Sequence, residues 1–205
     1  MGAVSAVGLG VNETEAVVTA AREFKIDCAL IAGRYTLLNH APLLADFAEL
    51  QQRQVSVLAA GVFNSGILAA GTRGNGNTYD YQSAPPAVLE RVRAIEAVCD
   101  RHGVELPTAA IAFVGMHPAV TTVVVGAQGT AEIGQNLAVA SRPPPAAFWA
   151  ALKESGILPQ NAPTEQQQAG QFGAPGSASP CRAPAAVAPA VRPGGHVIMK
   201  VRPSL

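Results

Sequence analysis

A chain of 205 residues is long enough for one domain, or for one domain and a tail. Of these residues 49% are hydrophobic and 14% charged, and 14 Lys and Arg balance 14 Asp and Glu. No net charge therefore draws the chain to nucleic acid or an anionic membrane, and the longest apolar stretch, residues 55–71, is broken by Asn64, Ser65 and Gly66 and is too short to span a bilayer.

The opening residues carry no basic n-region, and Ala6 stands where N-myristoylation needs Ser or Thr. Neither a signal peptide nor a myristoyl anchor is expected. Residues 3–10 are small and apolar, the pattern of a buried strand. Residues 13–24 follow with helical spacing: Ala16, Val17, Ala20 and Phe24 lie on one face and Glu15, Arg22 and Glu23 on the other, with Asn12 as the expected N-cap. Residues 28–32 form a second strand, and Pro42 opens a helix through Leu50. Residues 55–60 form a third strand, followed by a turn over 61–66. Residues 71–84 are rich in Gly, Asn and Tyr and read as a long mobile loop of functional character.

Pro85 and Pro86 start a long helix that ends near His102, with Gly103 as its C-cap. Pro107 starts another, running to His117. Residues 121–125 form the fourth strand, and helices follow over 131–140 and 146–155. Strands alternating with helices imply an α/β fold with a parallel sheet and a site at the strand C-termini. After Thr164 the periodicity disappears. Residues 165–195 are expected to be disordered, and 196–201 to form a short strand or nothing.

The most informative stretch is 123–136, where an apolar β-branched run stops at Gly126 and Ala127 and a helix starts at once. Free backbone N–H groups at such a strand-to-helix turn can hold a phosphate, or the turn can simply connect two elements. The turn Asn64-Ser65-Gly66 after the third strand has the same two readings. Tyr35, just after the second strand, is either an aromatic packed over the sheet end or a cofactor contact. Other motifs fail. Gly8 and Gly10 begin a dinucleotide fingerprint, but Glu13 occupies the place of its third glycine. His40, His102, His117 and His196 have no metal spacing, no serine sits in a GxSxG elbow, and Asp27 and Asp46 read as solvated. Cys28, Cys99 and Cys181 are odd in number and far apart, without CxxC spacing. They suggest neither a disulfide framework nor a zinc site and fit a reducing cytoplasm.

Several segments carry a more specific resemblance: GLGVNE from Gly8, LIAGRYTLLNH from Leu30, VSVLAAGVFNSGILAAG from Val55, HPAVTTVVVGAQGTAEIGQN from His117, and PPPAAFWAALKESGILPQNAP from Pro143. In these the chain resembles the C-terminal half of an aldo/keto reductase, in particular the branch of L-fucose (D-threo-aldose 1-) and pyridoxal dehydrogenases. The resemblance covers about residues 1–164. It implies that the four strands are strands five to eight of a (β/α)8 barrel that binds NAD(P) at its strand C-termini.

The resemblance further implies that Asn12 holds the nicotinamide carboxamide, and that Tyr35 lies at the cofactor. Asn64, Ser65, Gly66 and Leu68 would line the pyrophosphate, Gly126, Ala127 and Gln128 would meet the adenosine phosphate, and Gln135 and Asn136 would hold the adenine. Two positions depart from the family. Ala32 stands where a Gln commonly contacts the carboxamide, and Ala60 where a Tyr commonly stacks on the nicotinamide, with Phe63 as a possible substitute. The turn at 126–132 contains Glu132 and no Lys or Arg, which favours NAD over NADP because a carboxylate repels a 2′-phosphate. The family's catalytic Asp, Tyr, Lys and His have no counterparts here, and Tyr35, Tyr79 and Tyr81 are not at the matching position.

The expectation is therefore an enzyme fragment: an NAD(P)-dependent oxidoreductase of aldoses or aldehydes, inactive alone, from a truncated or misassembled reading frame. The rival is a non-catalytic half-barrel that binds nucleotide or assembles with another chain. In either case the strand edges at 3–10 and 121–125 are open to self-association.

Overall fold

A computed structural model describes residues 4–40, 43–74 and 77–165, and the backbone of 199–201. In chain order the elements are β1 (Gly8–Val11), α1 (Thr14–Glu23), β2 (Cys28–Ala32), α2 (Leu44–Gln52), β3 (Ser56–Ala60), α3 (Ile67–Ala70), β4 (Thr78–Tyr79), β5 (Gln82–Ser83), α4 (Pro86–His102), α5 (Leu106–Gly115), β6 (Val120–Val125), α6 (Thr130–Ala140), α7 (Ala146–Glu154) and β7 (Met199–Val201).

The main sheet runs β1-β2-β3-β6-β7. Its first four strands are parallel neighbours, and β7 joins β6 antiparallel. The outer edge of β6, expected to be open, is thus covered by β7; among the described residues no strand pairs with the outer edge of β1. Short apolar runs between helices leave the chain no other economical pairing, because each helix returns it to the start of the next parallel strand.

Along β2 and β3 the residues alternate between buried and half-buried. Ala29, Ile31, Val57, Ala59, Val123 and Val125 join the helices in one buried cluster. The half-buried Leu30, Ala32, Leu58, Ala60 and Val124 occupy the opposite face, as the period of two requires.

The helices follow their sequence signals. Pro86 begins α4, and Gly103 ends it at φ 63° with its N–H on the carbonyls of Cys99 and Asp100. Val92, Ile95, Val98 and Cys99 are the buried stripe of α4, at helical spacing. Each such fully buried aliphatic side chain stabilises the fold by about 2 kcal/mol. Burial first, then Asp100 and Glu96, push the Cys99 thiol up to about 12, and among the described residues Cys99 lies in no disulfide.

Three expectations change. Glu13, not Asn12, is the N-cap of α1, and it makes no side-chain capping bond; the first turn is tied instead by Thr14 Oγ1, which donates to Asp46 of α2 at 2.8 Å. Residues 71–84 are not an unstructured loop: they contain the β4–β5 hairpin. The short α3 follows the 61–66 turn directly. The expectations for Pro42, Cys181, His196 and the tail from 166 to 198 lie outside the described residues. Among the described residues no helix is long and apolar enough to cross a membrane, and no cluster of His, Cys, Asp and Glu could hold a metal.

Candidate functional site

Because β1, β2, β3 and β6 are parallel, their C-terminal ends share one edge. Val11, Ile31, Ala59 and Val123 stand in register across it. The chain leaves that edge at Asn12, Gly33, Gly61 and Gly126. Three strand spacings of about 4.8 Å each separate β1 from β6 across this edge. The turns expected to be functional are therefore brought together by topology.

Gly33 is the hub of this edge. At φ 68° its N–H donates to the Ala60 carbonyl at 2.8 Å, locking the ends of β2 and β3 together. Its own carbonyl accepts from Asn39 Nδ2 at 3.2 Å and from Asn64 Nδ2 at 3.3 Å. The loop that carries Asn39 is shaped by Thr36, whose Oγ1 accepts the N–H groups of Leu38 and Asn39.

Asn64 and Ser65 both have left-handed backbones, φ 45° and 60°, ahead of Gly66 at φ 100°. Consecutive non-glycine residues in this region are strained, and such strain concentrates at functional sites. The N–H groups of Asn64, Gly66 and Leu68 are already used within the turn, on the carbonyls of Gly61 and Phe63. They are not available to wrap a pyrophosphate. Asn64 is only 2% exposed, and its Oδ1 is buried without a hydrogen-bond partner. Gly33 fixes the amide orientation, so the turn presents a buried acceptor. A hydroxyl or amide donor of a nucleotide suits it; a phosphate oxygen does not.

The β4–β5 hairpin is latched onto this turn. Thr78 Oγ1 donates to the Ser65 carbonyl at 2.7 Å, and the Tyr81 N–H donates to Ser65 Oγ at 3.0 Å. Tyr79 and Asn39 share hydrogen bonds of 2.8 and 3.0 Å, and Arg34 pairs with Asp80 at 3.3 Å. The approach to the hairpin is held by Glu96 of α4, which accepts the Thr72 N–H at 2.8 Å and the Thr72 hydroxyl at 2.6 Å. Replacing Glu96 with alanine removes both acceptors. It is expected to cost about 2 kcal/mol and to open residues 72–84 to trypsin at Arg73; unchanged cleavage kinetics would refute this anchor.

At the β6 end, Gly126 and Gln128 are exposed and Ala127 is buried. Glu132, in the first turn of α6, accepts the Gln128 N–H at 2.7 Å, so a carboxylate already sits at that helix start. Asn136 is buried and donates to the Gly126 carbonyl at 3.4 Å, stitching α6 back to its own turn. Gln135 and Asn12 are exposed.

Two expected site residues are elsewhere. Tyr35 is 1% exposed, with ring centroids 4.8 Å from Phe47 and 5.2 Å from Phe113. Its hydroxyl has no partner, and burial raises its pKa. It is a core aromatic, because the chain turns inward beyond Arg34. Leu68 is fully buried, since α3 directs it into the core. Asn39, Thr78, Tyr79 and Asp80 were missed by the sequence reading.

The profile of the Aldo/keto reductase family matches residues 1–157. Pyridoxal 4-dehydrogenase of Microbacterium luteolum is 36% identical over 157 residues, 77% of this chain and 46% of that protein. D-threo-aldose 1-dehydrogenase of a Pseudomonas species is 36% identical over 158 residues, 77% of this chain and 48% of that protein. This chain therefore spans about half the length of these curated relatives. Among solved structures, an aldo-keto reductase from Bacillus halodurans is similar in fold. Its holo form has a TM-score of 0.53 at 19% identity, covering 68% of this chain and 46% of that one. Its apo form has a TM-score of 0.56 at 18% identity, covering 71% and 48%.

Proposed function

The chain belongs to the aldo/keto reductase family, and we propose that it supplies the cofactor-facing half of an NAD(P)-dependent oxidoreductase. The reaction is oxidation of an aldose C1 hydroxyl, or interconversion of an aldehyde and an alcohol. The names of the two curated relatives, which act on pyridoxal and D-threo-aldose, favour these substrate classes. In this reading β1, β2, β3 and β6 are the last four strands of the family's barrel.

The observation that carries the proposal is the gathering of Asn12, the Asn64–Gly66 turn and the Gly126–Gln128 turn on one strand edge. A nicotinamide nucleotide, when bound there, supplies the hydride acceptor or donor. The chain's own part is to bind and orient it. The hairpin held by Ser65, Asn39 and Arg34 covers the neighbouring turn, in which Asn64 Oδ1 is buried without a partner. NAD is favoured over NADP because Glu132 stands at the α6 start and no Lys or Arg lies in 126–132. The acid–base group is supplied from outside these residues, so the chain alone turns nothing over. The cytoplasm is the proposed compartment, on the cysteine pattern.

The rival reading is a non-catalytic half-barrel that assembles with another chain. The open outer edge of β1, with Val4 71% and Val7 53% exposed beside it, favours association.

Calorimetry of the full chain with NAD and NADP, with light scattering on the same sample, tests the proposal. NAD is expected to bind at least about tenfold more tightly than NADP, and Glu132→Lys to narrow that ratio. A monodisperse, folded chain that binds neither nucleotide defeats the cofactor reading. A defined dimer without nucleotide affinity favours the rival.

A further inference from the structure

Two cavities have volumes of about 430 Å³ each. The first, at the end of α1, contains Arg22 and Arg53, but Glu49 takes both guanidinium groups, at 2.6 and 3.0 Å. Both of its arginines are paired, and Glu23 lines it beside Lys25.

The second is different. It lies between the loop after β2, the hairpin residue Tyr79 and α4. Its apolar wall is Leu38 and Leu43, and Arg34, Arg91 and Asn39 line it with them. Arg91 makes no ion pair among the described residues. Arg34 reaches Asp80 with a single nitrogen at 3.3 and 3.4 Å, long for a charge-assisted bond, which is usually about 2.8 Å. Most of its donors remain available. His40 adds no charge: burial, and then the nearby Arg91, hold its pKa down. The cavity thus combines a compact apolar wall with two incompletely satisfied cations and no carboxylate on its lining. Its volume is that of a small-molecule site.

We propose that this cavity binds a carboxylate carried on a compact apolar body, with Arg91 and Arg34 on the carboxylate and Leu38 and Leu43 against the body. The carboxylate replaces water on Arg91 and competes with Asp80 for Arg34. The cavity shares Arg34, Asn39 and Tyr79 with the loops that border the strand-edge turns, but no residue proposed to meet the nucleotide lines it, so the proposal does not depend on the nucleotide reading.

Benzoate is a suitable probe, titrated into the full chain by calorimetry, with circular dichroism to check folding of each variant. The wild-type chain is expected to bind one benzoate saturably at millimolar concentrations, with and without NAD. Arg91→Gln and Arg34→Gln should each weaken binding by about tenfold. Arg93→Gln, an exposed α4 residue that does not line the cavity, should leave it unchanged. Inorganic phosphate should bind more weakly than benzoate, because it gains nothing from the apolar wall. The proposal is overturned if benzoate is not bound saturably, if Arg91→Gln binds it as well as wild type, if phosphate binds equally well, or if NAD displaces it.

Discussion

Replacing Gly61 with alanine is expected to lower the unfolding free energy by about 3 kcal/mol. Gly61 ends β3 at φ 64°, a conformation that costs an alanine about 1–2 kcal/mol. A Cβ there would also come within 2.8 Å of the Gly33 nitrogen and 3.2 Å of its Cα. Both are backbone atoms, and the Gly33 N–H is committed to the Ala60 carbonyl at 2.8 Å. Relief therefore requires the ends of β2 and β3 to separate. At Gly71 the atom met first is the carboxylate end of Glu96, a side chain that can move, though only by releasing Thr72.

Thermal unfolding measures the effect, with an expected fall of about 6–12 °C for a chain of this size. Gly10→Ala is the control: nothing lies within 4 Å of its added Cβ, and its effect should stay within about 0.5 kcal/mol. A Gly61→Ala protein as stable as wild type would mean that the two strand ends are not in close contact. Because Asn39 and Asn64 both donate to the Gly33 carbonyl, the same variant should also weaken nucleotide binding.

The elements that could be read from the sequence are those bounded by residues with a fixed backbone role. β2 falls on its expected residues because an apolar run begins at Cys28 and stops at Gly33. The bounds of α4 were legible because Pro86 cannot continue a preceding helix and Gly103 can adopt φ 63°. The strand-end turn at Gly61, φ 64°, was legible for the same reason; that at Gly126 was legible from the end of the β-branched run.

The hairpin over 78–83 was not. Its two central residues, Asp80 and Tyr81, have φ 47° and 61°, a geometry normally announced by Asn-Gly or Asp-Gly. Tyr81 offers no such signal; the turn is held by tertiary bonds to Ser65 and Arg34 that no local pattern contains. Tyr35 and Leu68 illustrate a second limit. Position at a strand end fixes where the backbone is, and not whether the side chain points outward or into the core. For Tyr35 the partners that decide it, Phe47, Phe113 and His117, lie 12 to 82 positions away in the chain. Asn136, expected to hold an adenine, is buried with its amide nitrogen on the Gly126 carbonyl, a tertiary bond that no local pattern announces.

That same aromatic cluster makes the stability depend on pH. His117 is 5% exposed, with the rings of Tyr35 and Phe47 set nearly perpendicular to it at 5.2 and 5.0 Å. Its Nδ1 accepts the Ala119 N–H at 3.1 Å, so its proton must sit on Nε2. A second proton would place N–H against N–H in an apolar site, and burial accordingly pushes its pKa down to about 4. In the unfolded chain the value is about 6.5. Between these values the unfolded state takes up a proton that the folded state refuses. The contribution is complete above pH 6.5 and is lost as the pH falls toward 4, by about 3 kcal/mol. Burial lowers His40 as well, which acts in the same direction. Glu49, held at about 2 chiefly by its hydrogen bond to Arg22, titrates below this window. Denaturant unfolding across the window should therefore show stability rising with pH. His117→Asn keeps an acceptor for Ala119 but removes the titrating ring. It should be less stable at neutral pH, from lost ring contacts, and change less between pH 6.5 and 4.5. Proton NMR settles the cause directly: a His117 ring signal that titrates near 6.5 in the folded protein would remove the basis for the effect, whatever the unfolding curves show.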